Sequence, residues 1–404
     1  MGAAMVVATL LLTGCATADI QPASVYEVPP ESPTAEPGTT VSAGASADAL
    51  SPEPPAPSAS MSPLLEPGPS PSGVTASTDP VCDVTEILEP SCGVWWGVSP
   101  YRNNVAGLER AAGRPMDIVY TWHGIDQRNF PTAKERAFAN EGRYLHVNVE
   151  ARRFDQNGHP PLRYRQITRG QFDGPLRAQA RQIADLGLPV FVTFDHEADA
   201  NKRYNTRGTP DQFVQAWQHV VDVYRDYGAD NAIFVWNVTG YPGNFARLPG
   251  LWPGNDYVDW ISWEAYNMTG CPHQPRWKHV QSFEEAMAPM YEWIQEQGPR
   301  HGIDPDKPVM IGEAGTVPIP GNPRATQEWY AEIPDVLRKY ERVRAVKFWD
   351  NTLGPTCDFR LLNNRYARAG FVQAGQDEYV NLPEQAREAV NSALSMLDQF
   401  ELRY

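Results

Sequence analysis

The chain has little positive charge, few cysteines and no glycine-rich phosphate cradle. Against 49 Asp and Glu stand 34 Lys and Arg, a net charge of −15 over 404 residues. That balance argues against nucleic acid or an anionic lipid surface as partner, and it suits a neutral partner. The first βα turn reads Gly97-Val98-Ser99-Pro100, which cannot hold a pyrophosphate. No His-x-x-x-His or paired-Asp spacing marks a metal site, and nothing implies a cofactor. The apolar stretch Ala4 to Leu12 is about nine residues long, too short to span a bilayer. No Lys or Arg precedes it, although export leaders normally begin with positive charge.

The residues that end this stretch carry a signal of their own. Leu12-Thr13-Gly14-Cys15 resembles the lipobox of bacterial lipoproteins, in which the cysteine becomes the first residue and carries a diacylglycerol. The expectation is an exported chain with a signal over 1–15, lipidated at Cys15, or secreted if Cys15 is unmodified. From 16 to 80 the composition is Pro, Ser, Ala, Thr and Glu, and 14 of the 38 prolines lie between Pro22 and Pro80. Such a segment buries too little to offset its ordering entropy, so it is expected to be a disordered tether. Four further cysteines, Cys82, Cys92, Cys271 and Cys357, form an even set, which in an exported protein favours disulfides. Cys82 with Cys92 would close a short loop at the entrance to the folded domain, and Cys271 with Cys357 would join two distant loops.

From Val94 a unit repeats: a short apolar run, a polar loop and an amphipathic segment. The strands are expected over 93–98, 117–121, 144–149, 189–194, 232–236, 257–263, 309–312 and 345–349. Helices are expected over 132–141, 172–186, 211–227, 283–297, 326–340 and 382–400, the third with Phe213, Ala216, Trp217, Val220, Val221 and Tyr224 on one face. Near-continuous apolar strands alternating with helices imply a parallel sheet covered on both sides. Eight units in one domain, 81–404, predict a (β/α)8 TIM barrel rather than an open doubly wound sheet.

In such a barrel, functional side chains come from the carboxyl ends of the strands. Read in order, those ends carry Trp96, Trp122-His123, Glu150, His196-Glu197, Trp236-Asn237, Trp263-Glu264-Tyr266, Glu313 and Trp349-Asp350. Aromatic rings that stack on sugar faces and carboxylates that take sugar hydroxyls are the expected content of a carbohydrate site. Trp122, His123 and Trp263 are candidates to bind it. Two of the carboxylates stand apart. Glu197 closes the buried run Pro189 to Phe194, and Glu313 closes Pro308 to Gly312. A pair of carboxyls side by side at strand ends is the minimum apparatus for cutting a glycosidic bond. Phe194 and a second charge nearby are expected to favour the protonated form of Glu197, while Gly312 and Ala314 leave Glu313 sterically open.

The order and neighbours of these glutamates resemble glycoside hydrolase clan A, and within it family 26. The resemblance covers about Val94 to Asn351. It implies that Glu197, after the fourth strand, is the acid/base and that Glu313, after the seventh, is the nucleophile of a retaining endo-acting enzyme. His196 matches the histidine that this family sets before its acid/base. Tyr266 matches a tyrosine after the sixth strand that bonds the nucleophile, and Trp349 matches a tryptophan that floors the cleavage subsite. The resemblance implies a polysaccharide substrate of the β-mannan type. A monomer is expected, with contact to the membrane only through the anchor at Cys15.

Two segments depart from the family's mannan-cleaving pattern. After Glu197 the chain continues Ala198-Asp199-Ala200-Asn201-Lys202-Arg203-Tyr204 instead of Asn-Gly and tryptophans, and after Trp349 it has Asp350 where Arg is common. These departures keep two alternatives open. One is a β-1,3-xylanase or mixed-linkage glucanase of the same family; the other is a non-hydrolytic carbohydrate-binding protein on the same barrel.

Overall fold

The computed structural model describes residues 82–271, 279–354 and 357–383. The expected signal, Cys15 and the tether lie outside these residues, as does most of the helix expected over 382–400. Eight parallel strands close into one barrel in sequential order: β1 Trp95–Pro100, β2 Ile118–Gly124, β3 Tyr144–Glu150, β4 Val190–Phe194, β5 Ala232–Val238, β6 Trp260–Asn267, β7 Val309–Thr316 and β8 Val343–Asp350. The expected (β/α)8 TIM barrel is the fold found.

The helices are α1 Val105–Ala112, α2 Ala133–Asn140, α3 Tyr164–Thr168, α4 Asp173–Ala184, α5 Pro210–Asp226, α6 Leu248–Leu251, α7 Phe283–Glu296, α8 Pro323–Ala331, α9 Ile333–Leu337 and α10 Arg365–Gly375. Local chemistry sets several of their starts. Thr132, Thr209 and Ser282 each accept a hydrogen bond from the N3 backbone of α2, α5 and α7, and each N3 Glu or Gln reaches back in a capping box. On α5 all six apolar residues expected on one face are buried. The helix expected over 326–340 is instead two, α8 and α9, with Pro334 just inside the second; a proline has no N–H for an interior helical bond. The helix that returns β8 to β1 is α10, ahead of the segment expected to do so.

Several strands run past their expected ends. β2 continues through Trp122-His123-Gly124, β6 through Glu264-Ala265-Tyr266-Asn267 and β7 through Glu313-Ala314-Gly315-Thr316. The added residues are polar, aromatic or small. They belong to the carboxyl-end layer of the barrel, where the apolar pattern that marks a buried strand stops before the backbone ladder does.

The amino end of the barrel is sealed. Trp95, Ile118, Phe191, Ile233, Trp260 and Met310 pack inside it with Cys82, Leu88 and Leu382. The loop closed by the Cys82–Cys92 disulfide is pinned across the opening, since Trp95 Nε1 donates to Leu88 O at 2.8 Å and Trp260 Nε1 to Ile87 O at 2.7 Å. One layer higher the interior turns polar: Tyr120, His146, Thr193, Ser262 and Lys347 face inward. Lys347 fits there because Gly97, its register partner on β1, has no side chain. A Cβ on Gly97 would lie 2.8 Å from Lys347 Cγ and from Ile118 Cβ. We therefore expect Gly97→Ala to lower stability by about 1–3 kcal/mol through overpacking, measured by denaturant unfolding; an unchanged midpoint would mean that β1 and β8 separate freely.

Candidate active site

Glu197 stands on a strained turn. After β4 the chain passes through Asp195 at φ 48° and Glu197 at φ 54°, left-handed conformations that cost non-glycine residues about 1–3 kcal/mol each. Both residues are buried, and hydrogen bonds lock the turn. The Asp195 carboxylate accepts from Tyr164 OH at 2.7 Å, from Ala151 N at 3.2 Å and from the Arg207 guanidinium. Asp195 thus anchors the turn to α3 and to the residue that follows β3. Glu197 N donates to Asn237 O of β5 at 3.0 Å.

His196 lies between those two residues with its ring fully enclosed. Asn148 Nδ2 and Arg203 both donate toward its Nδ1, so the ring carries its proton on Nε2. Burial, helped by the Arg203, Lys347 and Arg152 charges, holds its pKa well below 6.5, so the imidazole is neutral. Arg203 is itself balanced by Glu150, 3.8 Å away at the end of β3.

Glu313 reaches the interior by a different device. Along β7, Met310 faces the barrel interior and Ile311 the helices. The next inward position is Gly312, and simple alternation would then turn Glu313 outward. It does not, because the ladder slips: Trp263 pairs with Ile311, but the following Glu264 pairs with Glu313. Gly312 is the extra residue of a β-bulge, and the bulge re-aims Glu313 into the barrel. There Tyr266 OH donates to Glu313 Oε2 at 2.6 Å. Only glycine fits at 312, since a Cβ would lie 2.3 Å from Asn237 Oδ1 and 2.5 Å from Ser262 Oγ.

Glu264 stands across from Glu313. Its Oε1 accepts from Asn237 Nδ2 at 3.4 Å, and the charge of Glu197 acts on it. Burial first, then the charges of Glu197 and Glu313, push its pKa well above 4.5, which favours its protonated form. Three carboxyls therefore meet at the mouth. Behind them Asp199 accepts from Thr239 N at 3.0 Å, and burial raises its pKa to about 6.

The aromatic residues divide by face. Trp349 and Trp122 meet edge to face at 5.3 Å on the interior side, beside Tyr266 and Phe359. Trp263 points the other way: it is wholly buried against α7 and donates to Met287 O at 3.1 Å. His123 also faces outward, bonded to Gln127 and to Glu135 of α2 at 2.8 Å and stacked near Phe130. Trp263 and His123 are thus corrected from site candidates to packing residues, because each follows an inward residue on its strand. Trp96 and Trp236 likewise pack outward, against Phe371 and Trp252. Asp350 is a loop staple, accepting from Tyr101 N at 3.2 Å and Leu361 N at 2.7 Å.

The second disulfide pairs Cys271 with Cys357 and lies in the same apolar cluster as Tyr266 and Trp349. It ties the loop after β6 to the segment after β8, on either side of the strand that bears Glu313. A link across 86 residues removes chain entropy worth about 4.6 kcal/mol from the unfolded state.

This geometry predicts two outcomes. Gly312→Ala should abolish detectable function of the site while the chain remains folded by circular dichroism, because the added methyl displaces the bulge and with it Glu313; retention of full function would show that the bulge does not aim this residue. Asp199 binds a proton more tightly folded than unfolded, so it subtracts stability as pH rises from 3.8 to about 6. Asp199→Asn should flatten that part of the stability–pH curve, by at most about 3 kcal/mol, as read from Tm against pH.

No family model matches the chain. It is 26% identical over 299 residues to endoglucanase H of Acetivibrio thermocellus, covering 70% of this chain and 30% of that protein. To a β-1,3-xylanase of a Vibrio species it is 30% identical over 107 residues, 26% of this chain and 23% of the relative. The chain therefore spans well under two thirds of the length of these curated relatives. Among solved structures, a family 26 β-mannanase from Bacteroides ovatus superposes with a TM-score of 0.52 at 14% identity, covering 72% of this chain and 90% of the other. A modular endo-β-1,4-mannanase from Cellulomonas fimi gives 0.54 at 14% identity, covering 73% and 74%. The chain resembles glycoside hydrolases of family 26, and the barrel that those mannanase structures share is the fold it has.

Proposed function

We propose that the protein is a retaining, endo-acting glycoside hydrolase with Glu313 as nucleophile and Glu197 as acid/base. The observation that carries this reading is the convergence of the two glutamates, from the β4 turn and the β7 bulge, at one buried mouth where Tyr266 bonds Glu313. Glu313 attacks the anomeric carbon as Glu197 delivers a proton to the glycosidic oxygen, and the aglycone leaves. Tyr266 holds one carboxylate oxygen of Glu313, and the attack comes from the other. Water then cleaves the glycosyl ester on Glu313, and Glu197 takes the water's proton. Trp349 and Trp122 supply the aromatic wall of the cleavage subsite, and His196 packs beneath it.

The substrate is a β-linked polysaccharide, and the mannanase-like fold favours β-mannan. A second reading, a β-1,3-xylan or a β-glucan, draws on the curated relatives, named as a β-1,3-xylanase and an endoglucanase. It draws also on Asp350, which is committed to two backbone N–H groups where mannan-cleaving enzymes commonly carry Arg. The domain layout fits either substrate: a signal over 1–15, a lipid anchor at Cys15, a tether over 16–80 and a monomeric catalytic domain over 81–404. Two disulfides suit export, and among the described residues no helix is long and apolar enough to cross a membrane.

The full chain should release oligosaccharides from mannan, β-1,3-xylan or mixed-linkage glucan, with the β-anomer appearing first by proton NMR. Glu313→Ala should lower that turnover on the order of 1000-fold or more while binding of the same glycan survives. Wild-type turnover by this variant would overturn the assignment, and glycan binding without hydrolysis by the unaltered chain would favour a binding protein on the same barrel.

A further inference from the structure

Among the described residues two large apolar side chains stand exposed, Tyr241 and Val280. Tyr241 is 36% exposed and follows β5 by three residues, on the face of the barrel where the glutamates emerge. It heads a short crest, Tyr241-Pro242-Gly243, of which all three residues are exposed. A single apolar residue on a surface is ordinary. Tyr241 differs in how firmly its loop is held and in what that loop touches.

The clamp is Asp199, two residues past Glu197 and fully buried. It joins the loop after β4 to the loop after β5: its Oδ1 accepts from Thr239 N at 3.0 Å and its Oδ2 accepts from Thr239 Oγ1. The hydroxyl is the donor, because Thr239 Oγ1 itself accepts from Asn244 Nδ2 at 3.0 Å and from Tyr241 N at 3.4 Å. Asn244 N donates to Tyr241 O at 2.8 Å and closes the crest as a turn. Arg247 donates to Asp199 O at 2.6 Å from the same loop. Gly243 then leaves room for the ring, since a Cβ there would lie 2.6 Å from Tyr241 Cε1 and 3.2 Å from Cδ1.

The loop adjoins the mouth on two sides. Glu197 N donates to the carbonyl of Asn237, four residues before Tyr241, at 3.0 Å. Gly240, at φ 66°, lies so close to β6 that a Cβ would stand 3.1 Å from Glu264 O. In the loop after β4 the one tyrosine is Tyr204, partly buried and with Arg247 Cζ 4.8 Å from its ring centroid. The exposed aromatic ring on the Glu197 side therefore comes from the loop after β5.

Resting on the hydrolase reading, we propose that Tyr241 is a binding residue on the leaving side, whose ring stacks on a sugar beyond the cleaved bond. In that reading Glu197 protonates the glycosidic oxygen, so the departing sugar is bonded to an atom beside the β4 turn. Glu313 and the wall of Trp349 and Trp122 stand on β7, β8 and β2, across the mouth. The leaving part of the chain thus runs over the loops after β4 and β5, where the crest stands. A sugar ring presents an apolar face of C–H groups, and an aromatic ring already fixed in place takes it at little ordering cost. The substrate class is accordingly a β-linked chain that continues past the cleaved bond; a glycoside without sugars on that side gains nothing from Tyr241.

The probes are β-1,4-mannohexaose, β-1,3-xylohexaose and a mixed-linkage β-glucan hexasaccharide, of which the one that the full chain cleaves fastest is used. The comparison is the β-glycosyl fluoride of the matching disaccharide, whose leaving group is too small to reach the crest. Tyr241→Ala should raise KM for the hexasaccharide about tenfold with little change in kcat, because a contact away from the reacting atoms is lost equally from ground and transition states. The ratio of kcat/KM on the hexasaccharide to kcat/KM on the fluoride should fall about tenfold with it. Tyr241→Phe keeps the ring and should restore that ratio. Gly243→Ala keeps the tyrosine but pushes its ring aside, and should lower the ratio in the same direction. Equal losses on both substrates, or an unmoved ratio in the folded Tyr241→Ala variant, overturn the proposal.

A second measurement needs no turnover. On the Glu313→Ala background, calorimetric titration with the same hexasaccharide should show about tenfold weaker binding once Tyr241→Ala is added. If the unaltered chain binds one of the hexasaccharides but cleaves none, and Tyr241→Ala weakens that binding, the hydrolase reading fails and the platform stands. If the chain cleaves and Glu313→Ala is inactive, but neither the ratio nor the affinity responds to Tyr241→Ala, only the platform fails.

Discussion

A single extra residue in a strand changes the face that its later side chains meet, and in β7 that residue is Gly312. Without the slip between Ile311 and Glu313, the strand would present Glu313 to the helices, away from Tyr266 and out of the barrel. The slip is possible because Gly312 brings no side chain into the space held by Asn237 and Ser262. Those two are joined by a hydrogen bond of 2.6 Å, and Asn237 also reaches Glu264 and, through its carbonyl, the backbone of Glu197. The bulge therefore sits at a junction: the same small set of contacts places the proposed nucleophile, its partner carboxyl and the turn between them.

The second constraint is electrostatic. Three carboxyls in one buried mouth cannot all be ionised without large desolvation and repulsion costs. The barrel divides them by environment. Glu264 lies where burial and two like charges raise its pKa and favour the protonated form. Glu313 accepts a hydrogen bond from the Tyr266 phenol at 2.6 Å. The histidines on this side are held neutral, so they contribute shape and hydrogen bonds without charge. The mutual support of buried groups explains why the interior one layer below the mouth is polar when most of the barrel is packed with aromatic and aliphatic side chains.

The scaffold isolates this polar layer from both ends. Below, the loop closed by Cys82–Cys92 seals the barrel with Leu88 over Trp95 and Trp260. Above, Cys271–Cys357 packs against the cluster of Tyr266 and Trp349 beside Glu313. The strained turn at Asp195 and Glu197 persists for a related reason: buried partners hold its polar groups, so a local backbone cost is outweighed by contacts that no other conformation could make.

The strands, their order and the places of Glu197 and Glu313 after the fourth and seventh were legible because buried parallel strands are apolar runs and loops break them. The barrel followed from counting units; an even number of cysteines implied disulfides, and the structure decided the pairs. The face of each residue near a strand end was not legible. Trp122 and His123, or Trp263 and Glu264, are adjacent in sequence and opposite in space, and only the ladder tells which of each pair looks inward. The polar layer does leave one trace in the sequence: a lysine within Ala345-Val346-Lys347-Phe348-Trp349 marks a polar group inside a buried strand. Composition and periodicity thus determined the architecture and the proposed catalytic pair, since both depend on what residues bury and where runs end. Tertiary structure decided which side chains share the mouth, how their protons are divided and that a bulge turns Glu313 inward, since those depend on register, and register is a property of neighbouring strands together.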